Sequence, residues 1–151
     1  MGDLGPMGIN VIGIGYEGLD IQGLLARLRL REVLTVVDVR LNPISRKRGM
    51  SKNALRETLA TAGIGYEHIP ALGNPRDNRD GFADGDAQSG RDARMRFEEI
   101  LESTPAQAGL DRVLHLAGDG LVALLCFEAD QSTCHREIVL AAASTRELAK
   151  A

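Results

Sequence analysis

The chain has 151 residues, 44% of them apolar and 26% charged, with a net charge of −3. That balance describes one ordinary globular domain and excludes a disordered chain, and no apolar run approaches the roughly 20 residues a helical membrane span requires. The acidic sum also removes any global electrostatic case for nucleic acid. Only a local basic run survives, Arg40, Arg46, Lys47, Arg48 and Lys52, readable as a patch or as a solvated loop. Two cysteines make no disulfide framework.

Residues 1–8, with three glycines and a proline, read as a flexible tail without the basic and apolar regions of a signal peptide, so a cytoplasmic home is expected. A single α/β domain is expected over 9–151. Its first strand, Ile9 to Ile14, runs into Gly13-Ile14-Gly15-Tyr16-Glu17-Gly18, which matches the spacing of a dinucleotide fingerprint, with Asp38 twenty residues beyond Gly18. Glu17 would stand where a pyrophosphate must approach, so the glycines are read as a tight turn and no cofactor is assigned. Ile21, Leu24, Leu25 and Leu28 follow helical spacing behind Asp20 as N-cap.

Val33 to Val39 is a second buried strand ending in Asp38-Val39-Arg40. Asp38 and Arg40 share a face, either as a structural ion pair or as an anion clamp in which Asp38 orients the guanidinium. A loop with Pro43, Ser45 and Arg46 leads to Ser51 as the cap of a helix carrying Leu55 and Leu59, closed by Gly63. Ile64 to Ile69 is a shorter strand bearing Tyr66 and His68 on one face. Residues 71–90 show no periodicity and read as a long loop, a lid over the crevice or a merely mobile segment. Helices follow from Arg91 to Leu101 and around Leu110, Val113, Leu114 and Ala117.

Leu121 to Cys126 is an unbroken apolar run, suited to a strand buried on both faces; a polar loop and a last helix follow it. The alternation predicts a sandwich with a mainly parallel sheet of about four strands and helices on both faces. Tyr16, Asp38, Arg40, His68, Cys126 and Glu128 then all follow carboxyl ends of strands, the edge where open α/β sheets bind ligands.

Cys134 has the stronger claim to reactivity, because a helix N-terminus, His135 and Arg136 all favour thiolate, whereas Cys126 reads as packing. A reversible disulfide between the two stays open. So does a bland reading, with Arg136 and Glu128 as an ion pair and Cys134 packed inward. Cys126, Cys134, His135 and His68 could make four metal ligands, but Cys-x7-Cys-His lacks a standard zinc spacing and no metal is assigned.

Ile12 to Tyr16, Val37 to Arg40 with Pro43, Ser45 and Arg46, Tyr66 with Pro70 and Gly73, and above all Leu125-Cys126-Phe127-Glu128 followed by Cys134-His135-Arg136, resemble the domain of unknown function family 488. The resemblance implies a compact α/β protein with a polar site built from these motifs, and it supplies no activity. A looser similarity is to rhodanese-like sulfurtransferases, carried by Asp38-Val39-Arg40 and Leu125-Cys126. The loop after Cys126 departs from theirs in being longer, lacking glycine and holding Glu128 and Asp130.

The expected function is a crevice for an anionic, phosphate-bearing small molecule or nucleic-acid end. Arg40, Arg46 and Arg136 would supply charge, with Tyr16, Asp38, Ser45 and His68 around the ligand. Glu128 or His135 would serve as acid or base and Cys134 as nucleophile if the protein is an enzyme. A non-catalytic binding or adaptor module and a thiol-based or rhodanese-like enzyme are the alternatives. No membrane partner is expected, and the residues do not specify an oligomeric state.

Overall fold

The computed structural model describes residues 8–84 and 87–150. The tail expected over 1–8 therefore lies outside the described residues except for Gly8. Four strands, β1 (Val11–Gly15), β2 (Thr35–Asp38), β3 (Gly65–His68) and β4 (Val122–Cys126), form one parallel sheet in the order β1-β4-β2-β3. The apolar run ending in Cys126 occupies the inner position its composition demands: every residue of β4 is buried, between β1 and β2.

Because strand side chains alternate, β4 feeds two cores. Val122, Leu124 and Cys126 join one, and Ala123 and Leu125 join the other. Helices α1 (Ile21–Leu30) and α2 (Lys52–Thr61) cover the second core through Leu24, Leu25, Leu28, Leu55 and Leu59. The first core is covered by α3 (Arg79–Ala83), α4 (Gln88–Leu101), α5 (Thr104–Ala117) and α6 (Arg136–Lys150), which contribute Phe82, Phe97, Leu110, Val113, Val139 and Leu140. The predicted α/β sandwich is thus the observed one, with helices on both faces and every strand pair parallel. Among the described residues no helix is long and apolar enough to cross a membrane.

Local signals behave in part as their chemistry requires. Asp20 caps α1 by accepting from the Gly23 N–H at 2.8 Å. Gly63 closes α2 with φ +76°, a left-handed conformation in which a Cβ is strained. Ser51 precedes α2 without capping it; its Oγ accepts from the Ser45 N–H instead and pins the basic loop.

The larger correction concerns the segment read as a structureless loop over 71–90. Its described part is folded as two 3-10 turns, Pro70–Leu72 and Arg76–Asn78, followed by α3, and α4 already begins at Gln88. Leu72, Asn74, Asn78 and Phe82 are buried there. Short 3-10 turns repeat at three residues and change direction between pieces, so no helical period accumulates.

After β1 and β2 the chain passes to the face of α1 and α2, while after β4 it turns to the opposite face and enters α6. Strand ends that part in opposite directions leave a crevice at the carboxyl edge, and β4 stands in the middle of it.

Candidate functional site

A cleft of about 500 Å³, counting its open mouth, occupies that crevice. Tyr16 follows β1, Arg40 follows β2, and Cys126, Phe127 and Glu128 end β4; Thr133, Cys134 and His135 lead into α6. The far wall is Asn74, Arg79 and Phe82, from the segment that shows no periodicity. Ile44 and Phe127, both exposed, stand at the rim.

The Asp38–Arg40 pair is closed upon itself. Asp38 is fully buried, and its two oxygens accept from Arg40 Nε at 2.9 Å and Nη2 at 2.7 Å, with Tyr66 Oη donating at 2.5 Å. Arg40 Nη1 donates to the Met50 carbonyl at 2.7 Å and to Tyr16 Oη at 3.3 Å. Burial pulls the guanidinium's pKa down, but the hydrogen bonds and charge of Asp38 outweigh it and the net shift is upward. Burial, then the bond to Asp38 and its charge, push the Tyr66 phenol up as well. His68 Nε2 contacts the Arg40 carbonyl at 2.7 Å, so this histidine braces the same turn. Ser45 and Arg46 sit outside the cleft lining; Ser45 holds the loop, and Lys47 reaches back to the Tyr16 carbonyl at 3.1 Å.

Arg136 is placed differently from the expected helix-terminal anion binder. Its guanidinium runs beneath the loop, where Nη1 donates to the Glu128 carbonyl at 2.6 Å and to Cys126 Sγ at 2.9 Å, and Nη2 donates to the Ala129 carbonyl at 3.2 Å. Its buried Nε has no partner among the described residues. Arg136 and the Glu128 carboxylate form no ion pair, which corrects the bland reading of that pair. The contact that favours a thiolate also falls on Cys126, not on Cys134. Burial lowers the pKa of Arg136, and Glu128, Asp130 and Glu137 only partly offset it.

The fingerprint glycines are explained by this loop. A Cβ on Gly13 would meet Gln131 and, at 2.9 Å, Arg136 Nε; one on Gly15 would fall 1.8 Å from the Glu128 carbonyl oxygen. The loop thus fills the space beside β1 that a pyrophosphate would need.

The two cysteines are joined sulfur to sulfur, eight positions apart in sequence, with their Cα atoms 7.7 Å apart. Glu128 Oε2 lies 3.5 Å from Cys126 Sγ. His135 Nε2 bonds to the Val39 carbonyl at 2.8 Å, and since a carbonyl only accepts, the ring proton sits on Nε2. Nδ1, 3.7 Å from Cys134 Sγ, therefore carries the free lone pair. Burial first, and then the positive charges of Arg79 and Arg136, push His135 down to about 4, so the ring is neutral at pH 7.

One polar chain was missed in the sequence. Asn78 Nδ2 donates to the Ala93 carbonyl at 2.9 Å and to Asn74 Oδ1 at 3.0 Å. The Ala93 oxygen can only accept, which fixes the orientation of Asn78; Asn78 fixes Asn74; and Asn74 Nδ2 is left as a donor on the cleft wall with no protein partner among the described residues. Arg79, exposed beside it, likewise has no ion-pair or hydrogen-bond partner among the described residues. The only sequence signal was compositional: two asparagines and an arginine after a Gly in a segment without a period.

Fold and site together define a parallel α/β protein with a donor-lined cleft, floored by a cysteine pair, at the carboxyl edge of its sheet. A family model, the domain of unknown function DUF488, matches residues 20–143, and the chain belongs to that family. No curated protein and no solved structure matches the chain.

Proposed function

We propose that the cleft binds an anionic, phosphate-bearing ligand, a nucleotide or nucleic-acid end. The observation that carries this reading is the fixed amide of Asn74. Asn74 is only 3% exposed, yet its Nδ2 has no protein partner among the described residues and opens on the cleft, so it offers a pre-oriented donor to an acceptor entering there. Arg79 stands next to it as the available charge, whereas Arg40 is largely committed to Asp38 and Arg46 and Arg136 do not line the cleft. The exposed ring of Phe127, braced edge-on by Tyr16 at 5.4 Å, offers a face on which a base can stack.

Calorimetric titration with inorganic phosphate, a nucleoside monophosphate and the uncharged nucleoside tests this. Saturable binding of the monophosphate, tighter than phosphate and absent for the nucleoside, is the expected result. Asn74→Asp and Arg79→Ala should each weaken it about tenfold or more, the worth of one charge-assisted hydrogen bond. Equal affinity in wild type and both variants would sink the reading.

Glu128, beside Cys126 at the cleft floor, is the acid or base of an enzymatic version, and reduced Cys126, rather than the expected Cys134, its nucleophile. In a plain binding module Glu128→Gln leaves every behaviour unchanged; in an enzyme it removes turnover while ligand affinity stays. A thiol-based reading is favoured by the Arg136 contact to Cys126 and predicts faster alkylation at Cys126 than at Cys134 in the reduced protein.

A further inference from the structure

Three side chains on the floor of the cleft share a property that anion binding does not use. The Sγ atoms of Cys126 and Cys134 and a ring nitrogen of His135 all lie within 4.8 Å of one another, and all three residues are buried. His135 meets them with a lone pair, because its proton is held on Nε2 by the Val39 carbonyl. A backbone acceptor that fixes the tautomer and ring orientation is the outer support that metal-binding histidines have.

We propose that reduced Cys126 and Cys134, with His135 Nδ1, bind one Zn²⁺ ion on the cleft floor and leave its fourth position open toward the cleft, beside Glu128. Two thiolates and one imidazole form a donor set that suits zinc, and three protein ligands are the number in sites that keep a position for water or substrate. The ion binds with loss of both thiol protons to solvent, so Zn²⁺ and two thiolates form a neutral unit, and the neutral imidazole adds only its lone pair. Arg136 Nη1, which donates to Cys126 Sγ at 2.9 Å, would support that sulfur once it is a thiolate.

Backbone spacing agrees with this donor set. Disulfides hold their Cα atoms about 4.4–6.8 Å apart. Cys126 and Cys134 stand at 7.7 Å, a separation that an ion between the sulfurs accommodates better than a direct bond. The unusual Cys-x7-Cys-His spacing is bridged by the fold, which brings the end of β4 and the entry to α6 to the same point. This inference does not rest on the anion reading.

The test uses the full chain, reduced with a phosphine, freed of metal and titrated with Co²⁺ under anaerobic conditions. The expected result is one Co²⁺ per chain with a thiolate-to-metal charge-transfer band and the intense visible bands of a tetrahedral site, displaced by Zn²⁺. Cys126→Ser, Cys134→Ser and His135→Gln should each abolish or weaken that spectrum, and Glu67→Gln, far from the cleft, should leave it unchanged. Should a cysteine variant fail to fold, the wild type still decides: Zn²⁺ must protect both thiols from alkylation. A reduced chain that titrates two thiols yet takes up no cobalt, or a spectrum and protection indifferent to these residues, overturns the proposal.

Discussion

Arg40 and Arg136 are two buried guanidiniums at the same edge of one sheet, and they are held by opposite means. Arg40 is locked by a carboxylate in a two-point ion pair, which raises its pKa against the pull of burial. Arg136 has no carboxylate; two backbone carbonyls and a sulfur hold it, one nitrogen is unpaired, and burial lowers its pKa. The first arrangement is complete and supports the turn after β2. The second is complete towards Cys126 and the loop but incomplete at Nε, which faces Gly13 of β1.

The largest effect should come from opening the complete pair. Asp38→Asn leaves the Arg40 charge buried and uncompensated, and chemical denaturation should show a loss of about 3–5 kcal/mol. A loss below 1 kcal/mol would mean that the pair is no more than a bystander.

His135 touches both regions, through Val39 on one side and the charge of Arg136 on the other. An unfolded histidine titrates near 6.5, and the folded ring at about 4. As pH falls below about 6.5 the unfolded chain takes up the proton first, so stability present above that value is lost progressively and the loss is complete a little below pH 4. It should total about 3 kcal/mol. Urea midpoints measured across this range, with a chelator present so that the proton has no metal competitor, should fall with pH in wild type and fall less in His135→Gln. Parallel slopes would remove His135 as the cause.

Gly15→Ala pushes a methyl group into the Glu128 carbonyl that Arg136 holds. It should cost about 1–3 kcal/mol, and cysteine alkylation in the reduced protein should change with it, because the loop must move. Arg136→Met should cost only about 1–2 kcal/mol, the loss of hydrogen bonds partly offset by removing an unpaired buried charge. If Arg136→Met costs as much as Asp38→Asn, the contrast between the two arginines fails. At the bottom of the scale, Glu67→Gln weakens the solvent-exposed bridge to Arg112 and should leave the denaturation midpoint essentially unchanged.

Elements with a clean period are legible in the sequence. The apolar run to Cys126 announced a central parallel strand, Asp20 and Gly63 marked helix ends by local chemistry, and the alternation of elements gave the sandwich. Contacts made across a change of direction were not legible. Arg136 reaches Cys126 over a ten-residue separation that belongs to no periodic element, so sequence adjacency points the guanidinium at Cys134 instead. Asn74 lies between two 3-10 turns, Asn78 ends the second and Arg79 opens the short α3, and no hydrophobic pattern flags a buried amide. The glycines of β1 misled in the other direction, since their spacing imitates a nucleotide loop while their lack of a Cβ makes room for the protein's own chain.

The amide of Asn74 has two settings, and each recognises the opposite kind of ligand. With nitrogen outward it greets phosphates and carboxylates; turned by half a rotation it would greet ammonium and amide donors. The setting is imposed by the Ala93 carbonyl on α4, through Asn78. Which hydrogen-bonding group the cleft wall presents is therefore set by a helix backbone behind it, and breaking the Ala93–Asn78 bond would release the Asn74 amide to either setting without altering one residue of the cleft lining.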